Sequence, residues 1–163
     1  MDQTLRDLFE HNWWANRRVL ATAANLPHEA WLAGEGYGGA SLRPALVHTF
    51  RAEAIWRMRL SEQDPTEARN IASDQFETVD QLATAWAMEE ASWRAWLEVL
   101  PREGFEANHE PPPPLKPKPV RQYLLHVILH GAQHRAEAAL VLTEAGHSPG
   151  ELDFLEYMLA IGK

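Results

Sequence analysis

The stretch LLHVILHGAQHRAEAALVL at 124–142 places His126, His130 and His134 four residues apart in an otherwise apolar run. On a helix each step of four advances about 40° around the axis and about 6 Å along it, so adjacent members of the ladder are neighbours on one face. Two imidazoles at that spacing both reach a first-row metal about 2.1 Å from each nitrogen. His126 and His134 stand about 12 Å apart along the axis, too far to share one ion. The stretch therefore predicts a long helix bearing one metal-binding pair and a third histidine with another role.

Glu137 decides which pair. It extends the same face beyond His134, so H130-x3-H134-x2-E137 is a denser polar stripe than His126 and His130 with Tyr123 behind them. His130 and His134 are the expected ligands. Glu137 is expected either to orient a ligand imidazole from behind or to bind the ion directly. His126 reads as a core histidine satisfied by hydrogen bonds.

The helix around this ladder is expected to start at Pro119, which has no backbone donor to leave unsatisfied, and to stop at Gly146. Three further long helices follow from apolar periodicity and end signals. The first is capped by Thr4 and runs to about Ala24, before Leu26-Pro27 ends it. The second starts at Ser41, with Pro44 in its first turn, and reaches about Leu60. The third opens on a capping box at Thr78-Val79-Asp80-Gln81 and ends at Pro101. Ser148-Pro149-Gly150-Glu151 is a further capping signature for a short tail helix through Leu152, Leu155 and Leu159, expected to cover one end of the core. PPPPLKPKP at 111–119 reads as a stiff polyproline linker. No stretch shows sustained β alternation, so the chain is expected to be all-α, a four-helix bundle with a short C-terminal helix, and residues 1–163 to form one domain.

Two ligands do not hold an ion tightly, and the third donor is His48, mid-helix in LVHTFRAEAIW between apolar neighbours. Three neutral imidazoles leave coordination positions for water or substrate, which is the arrangement of catalytic rather than structural sites. The glycine-rich stretch GEGYGGAS has no strand before it and carries an acid, which argues against a dinucleotide fingerprint. It is expected to form the mouth of the metal pocket, with Arg43 near the following helix start meeting a substrate carboxylate. Glu53 and Arg135 read as an ion pair or as surface charges. Trp13, Trp56, Trp86, Trp93 and Trp96 lie on helical patterns and read as core or dimer contacts.

Composition narrows the function classes. The chain has 163 residues, a formal net charge of −8 and no cysteine. The missing thiol rules out disulfides, thiolate ligands and a cysteine nucleophile, so thiol chemistry needs a small-molecule thiol. Net acidity works against the phosphate backbone, so no nucleic-acid partner is expected. No apolar run approaches the roughly 20 residues of a membrane span, and no secretory leader is evident, so a cytoplasmic location is expected.

Four stretches carry a family resemblance: FEHNWWANRRVL at 9–20, LVHTFRAEAIW at 46–56, LLHVILHGAQHR at 124–135 and LDFLEYML at 152–159. In order and spacing, over nearly the whole length, the chain resembles the DinB/YfiT-like metalloenzymes. The resemblance implies a four-helix bundle holding a divalent ion, zinc or nickel first and iron or manganese as alternatives, on His48, His130 and His134. It departs at Ala136-Glu137, where many relatives carry Gly-Gln, and at Gln133, where another histidine is common. The resemblance also implies a transferase or isomerase that uses a low-molecular-weight thiol to attack a small electrophile. Metal-dependent hydrolysis, with Glu137 as base, is the alternative; a non-catalytic metal-binding stress-response protein, as a homodimer, is the third reading.

Overall fold

The computed structural model describes residues 3–33 and 41–162. In chain order these form α1 (Gln3–Ala23), α2 (His28–Leu32), α3 (Leu42–Leu60), α4 (Thr66–Arg69), α5 (Val79–Val99), α6 (Arg102–Glu106), α7 (Val120–Glu144) and α8 (Phe154–Ile161). The fold is all-α, with four long helices, a short C-terminal one and brief helical turns in the connections. The capping box forms as expected: Gln81 N–H donates to Thr78 Oγ1 at 3.3 Å, and Thr78 N–H to Gln81 Oε1 at 3.1 Å.

Several ends differ from expectation. Thr4 lies inside α1 rather than capping it. The tail helix is capped by Asp153, whose side chain accepts from Glu156 N–H at 2.8 Å, not by Ser148. The reason is local: Gly150 has φ +73°, which breaks any helix begun at Ser148, and the Pro149 carbonyl is taken by Arg18 at 2.9 Å. The tail helix packs against α1, with His11 Nε2 2.8 Å from the Leu152 carbonyl oxygen. The proline-rich linker is bracketed by a two-residue antiparallel ribbon, β1 (Asn108–His109) against β2 (Lys118–Pro119).

The long helices do not follow one another around the bundle. The closest packing is between α3 and α7, followed by α1 with α7, while α5 touches α1 and α3 more sparsely. The order around the bundle is thus α1, α7, α3, α5, and α1 and α3 face each other across the diagonal. The α1–α3 and α5–α7 connections must therefore cross the bundle ends, whereas α3 and α5 are neighbours.

Two apolar clusters fill the interior. One gathers Trp31, Leu46, Phe50, Leu82, Trp86 and Leu142; the other gathers Phe9, Trp13, Trp56, Trp93, Leu124 and Val127. Truncating a fully buried leucine such as Leu124 to alanine is worth about 2–5 kcal/mol in such an environment. Of the five tryptophans read from the helical pattern, Trp13, Trp56, Trp86 and Trp93 are core residues, and Trp96 packs beside them. Among the described residues, no helix is long and apolar enough to cross a membrane.

Candidate metal centre

The closest helix pair carries the candidate ligands. His48 projects from the middle of α3, and His130 and His134 from successive turns of α7. His130 Nε2 lies 3.3 Å from His48 Nε2 and 3.1 Å from His134 Nε2, and the three ligating nitrogens all fall within 4.8 Å of one another. Nitrogens bound to one tetrahedral or octahedral ion at about 2.1 Å stand about 3.0–3.4 Å apart, and the two separations from His130 match that range. The chemistry of the donors agrees. Imidazole nitrogens brought face to face repel unless a proton or cation stands between them, and one cation meets all three at once.

The electrostatics keep two of these donors, His130 and His48, uncharged. Burial, then repulsion from His134, His48 and His126, lowers the pKa of His130 to about 4. Burial, then the fields of His134 and Arg51, lowers that of His48. Neutral imidazole is the form that binds metal. His134 is buried, whereas His48 and His130 are half-exposed, so the cluster is held from one side and open on the other.

Glu137 stands behind His134. Its Oε2 lies 2.7 Å from His134 Nδ1, on the far side of the ring from the facing Nε2 atoms, and its Oε1 accepts from Gln133 at 3.3 Å. It therefore fixes the orientation of His134 from behind. The hydrogen bond to His134 is the main cause that lowers the Glu137 pKa, so it is a carboxylate.

His126 is corrected. It is exposed rather than a core residue, with its ring 5.6 Å from that of His130 and edge-on to Trp56 at 5.4 Å. Arg43 sits half-buried in the first turn of α3, about 7 Å along the axis from His48, and nothing among the described residues joins it to the histidines. The expected pocket mouth at 34–40 lies outside the described residues.

Glu53 and Arg135 are also corrected: they are neither a direct ion pair nor surface charges. Both are buried, and they are joined through asparagines of α1. Glu53 Oε1 accepts from Asn12 Nδ2 at 3.0 Å and Asn16 Nδ2 at 3.1 Å, and its Oε2 from Trp86 Nε1 at 2.7 Å. Arg135 donates to Asn12 Oδ1 at 2.5 Å and Asn16 Oδ1 at 2.9 Å. All four long helices contribute to this hub. Burial pushes the Glu53 pKa up against those three donors, and lowers that of Arg135 to about 10. A Cβ on Gly131 would meet both Arg135 Nη1 and Asn12 Oδ1 at 2.8 Å, so the glycine between His130 and His134 is what lets the hub close. Sequence reasoning passed over Asn12 and Asn16; two amides four residues apart within an apolar helix were the available signal.

With this geometry in place, comparison with known proteins is direct. Protein DinB of Bacillus subtilis (strain 168) is 22% identical over 166 residues, covering 93% of this chain and 91% of the relative. The DinB family model matches residues 1–161, almost the whole chain. A helical bundle with a three-histidine cluster on its second and fourth long helices, and a family match of that extent, lead to one conclusion: the chain belongs to the DinB family.

Proposed function

We propose that the protein is a divalent-metal enzyme in which His48, His130 and His134 hold the ion and a low-molecular-weight thiol is transferred to a small electrophile. The observation that carries this reading is the convergence of three imidazole nitrogens on one point with one side open. An ion bound there would supply Lewis acidity, lowering the pKa of a thiol or water enough to yield a nucleophile near neutral pH. The chain's own residues do the rest. Glu137 orients the His134 ring so that its Nε2 turns toward His130, where it would help to hold an ion, and the low proton affinity of His130 keeps that donor free of a competing proton.

Thiol transfer is favoured over hydrolysis by the placement of Glu137. Both of its oxygens are engaged, one by His134 and one by Gln133, so it is not poised as a base for water. The protein has no cysteine of its own, which makes a cosubstrate thiol the source of sulfur. In the transfer, the thiol loses its proton to solvent, its sulfur bonds to the electrophilic carbon, and the leaving group departs with the bonding electron pair. Zinc and nickel both suit an all-imidazole donor set.

The test is metal analysis of purified wild type and His130→Ala, followed by incubation with an alkylating electrophile and a panel of small thiols. The expected result is stoichiometric metal in wild type alone, and electrophile consumption that requires thiol. Consumption without thiol would turn the reading to hydrolysis. Equal absence of metal from both proteins would remove the metal reading altogether.

A further inference from the structure

The face of α3 that bears His48 continues through Trp56 to Arg59, eleven residues on and about 16 Å along the axis. The face of α7 that bears His134 and His130 runs in the opposite direction through His126 to Tyr123. Ring contacts join the two faces without a break. His126 is edge-on to Trp56, Trp56 stacks on Tyr123 at 5.0 Å, and His109 meets Tyr123 edge-on at 5.5 Å. The Arg59 guanidinium lies over the Trp56 ring at 5.1 Å.

Arg59 is unlike its neighbour on the same helix. Arg57 forks onto Glu89 at 2.5 and 3.0 Å, whereas the Arg59 side chain has no hydrogen bond or carboxylate partner among the described residues, and its Nε is buried. His109 Nε2 is buried beside it, also without a partner among the described residues. Unpaired buried polar atoms of this kind are costly, and for the Arg59 donor more so in a chain with 23 acidic residues available to meet it. Burial and the field of Arg69 both lower the Arg59 pKa, as expected for a cation whose charge is not compensated. Burial and then the field of Arg59 lower the His109 pKa, against Glu110 and Glu62, so the cationic member of the pair is Arg59.

We propose that this end of the α3–α7 seam is an anion-binding subsite, in which Arg59, supported by His109, receives the carboxylate end of a small-molecule substrate whose thiol end lies at the histidine triad. Trp56 and Tyr123 form the floor beneath the intervening chain, and His126 lies between the two ends. A guanidinium on an aromatic face, with donors to spare, suits a planar carboxylate. The inference rests on the metal-site reading for its far end and on Arg59 alone for its near end.

The experiment titrates zinc-loaded protein with mercaptoundecanoate and mercaptoundecanol, and with the short pair mercaptopropionate and mercaptopropanol, by calorimetry. The long carboxylate is expected to bind at least about tenfold tighter than the long alcohol, or about 1.4 kcal/mol, with no such gap for the short pair, which cannot span the seam. Arg59→Gln should erase the gap while leaving the alcohol's affinity unchanged, Arg59→Lys should restore part of it, and Arg121→Gln, at an exposed pair with Glu106, should leave it intact. Equal binding of the long acid and alcohol to wild type, or a gap that survives Arg59→Gln, would overturn the subsite and leave Arg59 as a cation at a helix C-terminus. Failure of every thiol to bind would count against the thiol reading instead. The subsite is then judged on wild type by NMR, where hexanoate, and not hexanol, should move the Arg59 Nε–H and His109 ring signals. Silence at both would overturn it.

Discussion

Two polar clusters are built on the same pair of helices, five residues apart on α3 and one residue apart on α7. His48 and His134 belong to the candidate metal centre; Glu53 and Arg135 belong to the hub. The hub is sealed, and its carboxylate oxygens and asparagine amides meet partners from all four long helices. In the histidine cluster His48 and His130 are half-exposed, and the Nε2 atom of His130 faces those of His48 and His134. A polar group that is buried and fully partnered specifies how helices pack; polar groups that converge with like atoms facing await something from outside. Neighbouring positions in the sequence thus serve architecture and chemistry separately.

The comparison is most strongly tested at the hub. Glu53→Ala would leave the amides of Asn12 and Asn16 and the indole of Trp86 without an acceptor and Arg135 without a counter-charge, and should cost about 3–5 kcal/mol in urea unfolding. A loss below about 1 kcal/mol would erase the distinction between the clusters. Gly131→Ala should cost about 1–3 kcal/mol by the same assay, since its Cβ would press on Arg135 and Asn12. If the hub and the metal site are mechanically separate, that variant still binds metal once folded.

At the metal centre the expected effects fall on affinity. Glu137→Gln should weaken zinc binding about 10–100-fold, read by chelator competition, with little change in the unfolding midpoint. Unchanged affinity would mean that His134 is held by its own packing. The pH dependence of stability offers a finer distinction. The folded-state pKa of Glu53 is raised by burial, so its favourable contribution is present below the unfolded glutamate value and is lost as pH rises through the folded value. Wild type should therefore lose stability relative to Glu53→Gln as pH climbs above the ordinary glutamate range. The opposite slope would show a carboxylate held ionised by its donors and Arg135. The smallest effect is expected for His126→Ala, which should leave zinc stoichiometry intact and shift stability by less than about 0.5 kcal/mol, because the residue is exposed and its Nε2 is outside the facing set.

Much of this was legible in the sequence because it rests on local rules. Period-3.6 apolar patterns and the Thr78–Gln81 box located the four long helices, and four-residue spacing brought His130 and His134 together. The choice of His48 needed only that one more helix present a histidine between apolar neighbours. What stayed hidden depends on the order of helices around the bundle, which no local rule sets. Whether Asn12 and Asn16 meet Glu53 or solvent follows from α1 and α3 lying on the diagonal, and that arrangement also brings Arg135 inside. His126 misled for a related reason: an apolar run around it, with Leu125 and Leu129 themselves exposed, resembles a buried face. The start of α8 was misplaced because a serine signature at 148 is overridden by the left-handed backbone at Gly150.

The pairing of α3 with α7 has a temporal side. The donors of the triad are separated by more than eighty positions, from 48 to 130 and 134, so a chain emerging from the ribosome presents one imidazole long before the other two. Until the last long helix docks, His48 alone offers no chelate, so an ion held by all three would be acquired only as assembly finishes. Loading with metal would then report, in a growing chain, that the bundle has closed.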